Sequence, residues 1–474
     1  MINQYLEQQI KLFFQYPPTS EQEQAIKSLS EFLLPASSEA VFILQGFAGT
    51  GKTALTGALV QALNAAGQKC ILLAPTGRAA KILAAYSGHP AYTIHKKIYR
   101  QKSFSNEMSN FDLDKNLHTD TLFIVDEASM ISNRISATSN FGSGRLLEDL
   151  VQFVFSGTGC KLLIIGDTAQ LPPVGETGSP ALSANTLAGY GLELKQICLT
   201  KTVRQAEESG ILYNATRLRE CIAAGQTGIL PQMHLQGFND IRRLPGNELV
   251  DTLNSCYEQD GMSDTIVICR SNKQANRYNN GIRNTLLFRE EEIESGDVLM
   301  VAKNNYFWGN SNKELEFIAN GEIAIVKRIR HTTSLYGFHF ADALLAFPDC
   351  NDIEIEAKIL LETLHSDAPA LSKEDNDRLF YAILEDYADI SNKREKMKRM
   401  KENPYYNALQ VKYAYAITGH KAQGGQWKNV FLDQGYVTPD MASADYFRWL
   451  YTAFTRATQK LYLVNFPQKQ IEEQ

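Results

Sequence analysis

The feature that most constrains this chain is an octapeptide, Gly46-Phe-Ala-Gly49-Thr50-Gly51-Lys52-Thr53. It stands between an apolar run, Val41-Phe-Ile-Leu-Gln45, and an Ala/Leu-rich stretch of helix length, 52–66. The run lacks polar alternation, which marks a strand covered on both faces in a parallel sheet. Between such a strand and a helix, GxxxxGK[ST] curls its backbone N–H groups around phosphates. Lys52 would pair with the β- and γ-phosphates, Thr53 would ligate Mg²⁺, and the helix start adds a favourable dipole. A glycine-rich turn that binds nothing does not account for the full pattern in this setting. The octapeptide therefore predicts an ATP site, with Gly46, Gly49, Thr50, Gly51, Lys52 and Thr53 around the nucleotide.

Three further apolar runs, Cys70–Ala74, Leu122–Val125 and Leu162–Ile165, alternate with helical patterns such as 77–86. That order specifies a doubly wound parallel sheet. The run at 122–125 ends in Asp126-Glu127, where Asp126 is placed to hold the metal and Glu127 to orient and deprotonate a water. The run at 162–165 leads to Gly166-Asp167-Thr-Ala-Gln170, whose glutamine is placed to sense the γ-phosphate, although the Pro-Pro segment after it reads equally well as an ordinary turn. A second α/β set starts at 264–269 and resumes only at 409–416, 430–432 and 461–464. The interval holds short strands at 296–301, 320–326 and 338–347, consistent with a small β-barrel, then a polar helical stretch at 372–390. After these, Lys393-Arg-Glu-Lys-Met-Lys-Arg-Met-Lys401 packs six cations against one Glu, a solvated linker or helix face on one reading and a nucleic-acid backbone contact on another.

Hydrophobic residues make up 44% and charged residues 21% of 474, which excludes disorder and a disulfide scaffold as the main architecture and leaves room for two to four domains. A net charge of -6 argues against a nucleic-acid-coated protein but permits a local basic groove. The seven cysteines are scattered, without CxxC spacing, and are expected as reduced core residues. No run is long enough to span a membrane, and residues 1–16 carry no apolar signal core, so the expectation is a soluble, cytoplasmic protein without a membrane partner.

Taken in order, these segments resemble those of superfamily 1 helicases, in the branch of the Dda-like and RecD-like enzymes, and the resemblance covers nearly the whole chain. Thr19-Ser-Glu-Gln22 is similar to the motif whose glutamine reads adenine, with Gln24 as the rival. Ala74-Pro75-Thr76 and Thr93-Ile-His95 resemble the first strand-contacting motifs. Val203-Arg204-Gln205 resembles the segment that brings an arginine to the γ-phosphate. Thr418-Gly-His420-Lys421-Ala-Gln423-Gly and Tyr451-Thr-Ala-Phe-Thr-Arg456-Ala resemble the last two motifs. Phe141-Gly-Ser-Gly-Arg-Leu-Leu-Glu148 lacks the PFGG-type signature of the petite-integration-frequency helicases, which places the chain nearer the Dda-like and RecD-like group. The short run before Gln22 speaks against a role as the RecD subunit of a recombination complex.

The resemblance implies two RecA-like P-loop domains with parallel sheets and an SH3-like barrel inserted in the second. The corresponding boundaries are 1–200, with a strand-splitting pin at 101–120; 201–290; the barrel with a helical, basic extension at 291–407; and 408–474. It implies ATP and Mg²⁺ as cofactors, Lys52, Glu127, Gln170, Arg204 and Arg456 as catalytic, and Gln22 at the base. It implies a single-stranded DNA track of Pro75, Thr76, Thr93, His95, Thr418, His420, Lys421 and Gln423, with junctions between single and double strands as partners. Phosphate contacts of this kind carry no base information, so binding should be sequence-tolerant and salt-sensitive. Tyr92, Phe104, Phe111, Tyr306, Phe307 and Trp308 are candidates for stacking on bases. The expected activity is 5′-to-3′ translocation with unwinding. The alternatives are a translocase that strips proteins from DNA, or an ATP-switched assembly subunit, against which the intact Glu127 speaks.

Overall fold

The computed structural model describes residues 2–14, 16–34, 39–101, 111–135, 141–202, 208–311 and 317–472. The first core contains β1 (Ala40–Gly46), β2 (Lys69–Ala74), β3 (Ala91–Thr93), a short hairpin of β4 (Tyr99–Gln101) and β5 (Phe111–Leu113), then β6 (Thr121–Val125), β7 (Lys161–Gly166) and β8 (Glu193–Leu199). Six of these form an all-parallel sheet in the order β3-β2-β6-β7-β1-β8. Its apolar strands serve two cores at once. Val41 and Ile43 of β1 face one cluster with Phe123 and Val125 of β6, while Phe42 and Leu44 face the other with Leu122 and Ile124. Both faces being covered is why neither strand alternates. All seven cysteines are free, but Cys198 is exposed rather than in the core, because it lies on the edge strand β8, where only Leu199 is buried.

The second core begins with β9 (Ile241–Leu244) and β10 (Thr265–Cys269). A closed barrel follows, of β11 (Val298–Val301), β12 (Ile323–Leu335), β13 (Phe338–Phe347), β14 (Ile353–Leu360) and β15 (Leu409–Tyr413). The core then resumes with β16 (Ala416–Thr418), β17 (Trp427–Asp433) and β18 (Ala457–Val464), giving a parallel sheet β16-β10-β17-β18-β9. The fold is thus α/β, with two parallel-sheet cores and a small barrel inserted in the second.

The run 409–416, expected to return wholly to the second core, divides instead. Its first part closes the barrel through Leu299↔Tyr413 and Ile359↔Leu409 pairs, and only its end enters the second sheet. Leu409, Val411 and Tyr413 are buried and alternate with half-exposed Gln410 and Lys412, the period of a strand with one wet face.

Both crossings between barrel and second core meet at one buried carboxylate. Asp297, with no exposed side-chain surface, accepts two bonds from Arg283 at 3.0 and 3.1 Å, one from Arg289 at 2.5 Å and one from the Tyr415 hydroxyl at 2.9 Å. Barrel residues Leu299, Val326 and Leu345 share one apolar cluster with Val267 and Cys269 of β10. The barrel and the second core are therefore one packed unit.

Against the first core the barrel makes an aromatic contact. Tyr306 and Phe317 pack on Phe111, at 4.7 and 6.0 Å between ring centroids, and on Phe141, at 5.7 and 5.8 Å. Phe111 and Tyr306, candidates for base stacking, are committed here, and Trp308 donates its indole N–H to the Asn407 carbonyl at 2.8 Å. Phe104 lies outside the described residues, as do residues 102–110 of the span expected as a pin. Its described ends, β4 and β5, pair antiparallel from Tyr99↔Leu113 to Gln101↔Phe111. Among the described residues no helix is long and apolar enough to cross a membrane.

Candidate functional site at the seam between the cores

The octapeptide turns from β1 into the helix Lys52–Ala65, with Gly49 at φ 74° and Gly51 at φ 81°. That left-handed backbone favours glycine and leaves the helix without a side-chain cap, so its first N–H groups face the loop. The Lys52 ammonium donates to the carbonyls of Gly46 at 2.6 Å and Phe47 at 2.9 Å, lying across the concave side of its own loop. A Cβ at Gly46 would meet Lys52 Cγ and Thr50 Oγ1 at 2.9 Å, so only glycine leaves this cradle room. Gln22 is buried, and its amide is engaged at both ends. It accepts from the Thr19 N–H at 2.8 Å in a capping box and donates to the Thr50 carbonyl at 3.0 Å. Gln22 thus ties the amino-terminal helix to the phosphate loop, while its rival Gln24 is exposed.

Asp126 and Glu127 follow β6. Asp126 is half-buried, accepts from the Tyr86 hydroxyl at 2.5 Å and from the Glu127 N–H at 2.8 Å, and desolvation together with the charge of Glu127 raises its pKa. Glu127 is left-handed at φ 51°, an uncommon backbone for a non-glycine residue and one often found at functional sites. Opposite its carboxylate, at 3.8 Å, stands the Arg456 guanidinium of the second core. Arg456 is itself buried, held by the carbonyls of Thr452 at 3.1 Å and Gly425 at 3.2 Å. Gln170 is buried, and its side-chain oxygen has no partner among the described residues. Arg204 lies outside the described residues.

Tyr451 and Thr452, to which the sequence reading gave no role, join the two cores at the phosphate loop. The Tyr451 hydroxyl accepts from the Ala48 N–H at 2.9 Å and donates to Asp167 at 2.5 Å. Thr452 Oγ1 accepts from the Leu171 N–H at 2.9 Å. Asp167, buried beneath the loop, has its pKa raised by that burial, with Lys52 and Tyr451 opposing. The signal for these two residues lay in their place about one turn before Arg456, in the last turn of the helix Ala444–Phe454 that Arg456 follows.

The residues expected along a DNA strand sit where helices begin at the same seam. Pro75 joins β2 to Thr76, whose hydroxyl caps Ala79 N–H at 3.2 Å, and Thr93 caps Lys96 N–H at 3.2 Å. Each hydroxyl keeps its proton to donate. His95 packs edge-on to Phe141 at 4.8 Å, and burial pushes its pKa down to about 4, so it presents a neutral ring. Thr418 makes no cap bond, His420 is exposed, and Lys421 donates to Asn320 of the barrel at 2.5 Å. Gln423 is placed differently from expectation. It is buried and donates to the Leu171 carbonyl at 2.7 Å, so it binds the cores to each other rather than lying open on a strand track. Across the same seam Arg78 donates to the Gln426 carbonyl at 3.0 Å and lies 4.0 Å over the Trp427 ring.

A phosphate loop on one parallel-sheet core, faced by a buried arginine of a second such core, is the arrangement of a two-core protein of the P-loop class. Residues 18–228 match the family model of an AAA domain, and 413–464 that of the UvrD-like helicase C-terminal domain. With one match on each core, the chain is similar to the superfamily 1 helicases, which include the RecD-like and Dda-like proteins. It is 31% identical over 201 residues to the ATP-dependent RecD2 DNA helicase of Deinococcus radiodurans, covering 41% of this chain and 24% of that protein. It is 33% identical over 138 residues to the ATP-dependent DNA helicase dda of phage T4, covering 28% of each. The uncharacterized protein R530 of Acanthamoeba polyphaga mimivirus is 22% identical over 530 residues, covering 93% of this chain and 98% of that one. The chain thus matches about a quarter of the length of the first two and almost all of the third. Among solved structures, the Pif1 helicase from Bacteroides in complex with ADP-AlF3 and ssDNA covers 97% of this chain and 95% of its own at 16% identity and a TM-score of 0.47.

Proposed function

We propose that this chain is an ATP-dependent DNA helicase that moves 5′ to 3′ along single-stranded DNA and separates the duplex ahead. The observation that carries the reading is the composite site, in which Glu127 of one core faces Arg456 of the other at 3.8 Å, with Lys52 near enough for its charge to act on the adjacent Asp126. Two cores that complete one site only by meeting can convert phosphate chemistry into relative motion. The residues present fit ATP and Mg²⁺. Lys52 and the N–H groups of 49–53 would hold the phosphates, Thr53 and Asp126 would hold the metal, and the unpartnered Gln170 oxygen points to a ligand or water donor there. Mg²⁺, when bound, would supply charge neutralisation at the phosphate oxygens. Glu127 orients and deprotonates the attacking water, and Arg456 stabilises charge developing on the transferred group.

The test compares duplexes with a 5′ or a 3′ single-stranded tail in a strand-displacement assay with ATP and Mg²⁺. Displacement from the 5′-tailed substrate is expected, and displacement from the 3′-tailed substrate alone would overturn the polarity. Lys52→Ala should abolish hydrolysis in a folded protein, because the ammonium contributes charge stabilisation and bonds only to its own loop. Glu127→Gln should still bind ATP while turning over very slowly, since an amide positions water but cannot take its proton.

A further inference from the structure

The basic run is a helix, Lys393–Glu402, capped by Asn392 and fixed to the barrel by Met400, which is buried with Phe338, Phe340, Leu360, Leu379 and Ile383. Its partner helix, Lys373–Glu385, is rich in acids, yet among the described residues no ion pair joins the two. The one ion pair on the basic helix is internal, Arg399 to Glu395 at 3.2 Å. The cations are therefore not committed to holding the hairpin together. Lys393, Arg394, Lys398 and Arg399 are exposed, and Lys396 and Lys401 half-exposed.

The end of this helix is anchored toward the hairpin of β4 and β5. Asn407 donates to the carbonyls of Lys401 at 2.7 Å and Asn403 at 2.8 Å. The Asn407 carbonyl in turn accepts from Asn305 and from Trp308, both at 2.8 Å. Between those two lies Tyr306, packed at a tilt on Phe111 of β5 with 4.7 Å between ring centroids. A short chain of direct contacts thus links the basic helix to the β4–β5 hairpin. We propose that this helix binds the phosphate backbone of the duplex entering ahead of the hairpin, an inference that rests on the fork-acting reading above. Ten helical residues extend about 15 Å, or roughly four base-pair steps of duplex.

The test replaces four lysines together, K393Q/K396Q/K398Q/K401Q, in the full chain. Affinities for a single-stranded oligonucleotide and for a forked duplex are measured by fluorescence anisotropy across a salt series, alongside single-strand-stimulated ATPase. The expected result is about tenfold weaker fork binding with a salt slope shallower by about 2 to 3, because each lost phosphate contact removes close to one released counterion. Single-strand affinity and stimulated ATPase should stay within about twofold of wild type. The arginine counterpart K393R/K396R/K398R/K401R, which keeps the charge, should bind forks fully. Unchanged fork affinity and slope would overturn the proposal in favour of an acidic protein partner. Equal losses on both DNAs, in a variant that melts like wild type, would overturn it by placing the helix on the single strand. Absence of DNA-stimulated ATPase in the wild type would instead defeat the helicase reading itself.

Discussion

Tyr451 contributes a ring and a hydroxyl, and the two have separable roles. The ring is fully buried in the second core, whereas the hydroxyl alone reaches Ala48 and Asp167 on the first. Tyr451→Phe keeps the packing but removes one of the two donors to the buried Asp167 carboxyl, the other being the Ala169 N–H, a loss of about 1 to 3 kcal/mol. It should lower DNA-stimulated turnover by about tenfold while the KM for ATP changes far less, because the bond bridges the cores rather than any part of the nucleotide. Steady-state kinetics with saturating DNA check this, and an unchanged kcat would reduce Tyr451 to a packing residue. Glu322 makes a pH prediction. It is buried where the barrel meets the first core, near Gly77, and one carboxyl oxygen has no partner among the described residues. Desolvation, with a smaller push from Asp349 and opposed by Lys96, raises its pKa to about 8. Because the folded value exceeds the unfolded one, the stability is fully present below about 4.5 and is lost as pH rises through about 8, at about 1.4 kcal/mol per unit while only the unfolded chain ionises. Glu322→Gln, which cannot ionise, should remove that part of the slope in thermal melts run from pH 5 to 8.

At the scale of elements, the prediction concerns the crossing points of the inserted barrel. Asp297 holds two arginines and Tyr415 with no exposed surface, so Asp297→Asn leaves buried guanidiniums uncompensated. Breaking such a pair from one side costs about 3 to 5 kcal/mol. Calorimetry should show the melting of the second core and barrel shifted down together. Separate transitions would show that the carboxylate does not unite them. Legibility divides in the same place. Four strands of the first core were readable because burial on both faces strips them of polar residues, and the phosphate loop because its chemistry fixes residue types at each step. Leu409–Tyr413 was misassigned because neighbouring apolar strands read alike until their period is weighed: Gln410 and Lys412 already gave the alternation of a barrel strand. Gln423 was misplaced because a glutamine near a strand-contacting motif reads as a DNA ligand, and only the tertiary fold reveals the Leu171 carbonyl opposite. Nothing local in the sequence connects Asp297 to Arg283 and Tyr415, which are brought together by the barrel's closure.

At the scale of the molecule, three bodies touch pairwise: core to core at the phosphate loop, second core to barrel at Asp297, and barrel to first core through the rings at Phe111 and Phe141 and through Lys81, which donates to the Pro348 carbonyl at 2.7 Å. Phe317→Ala cuts into the last contact without touching the nucleotide residues. It should leave ATP turnover within about twofold of wild type, yet lower the base pairs separated per ATP several-fold, because truncating a buried Phe loosens packing by about 3 to 5 kcal/mol. Simultaneous measurement of phosphate release and strand displacement checks this, and an unchanged ratio would leave the aromatic contact without a role in coupling. The three contacts also differ in kind. The one at Asp297 is charged and buried, so it breaks only at high cost, and the one at the phosphate loop is a set of directional hydrogen bonds that are either made or broken. The aromatic one is non-directional, and rings can shift across one another at little expense. If the cores hinge at the nucleotide as the proposed function requires, the aromatic face would answer, with the barrel moving as an arm fixed to the second core. The rings of Phe111, Phe141, Tyr306 and Phe317 would then slide on one another beside the β4–β5 hairpin, so that an opening near Lys52 would be felt there.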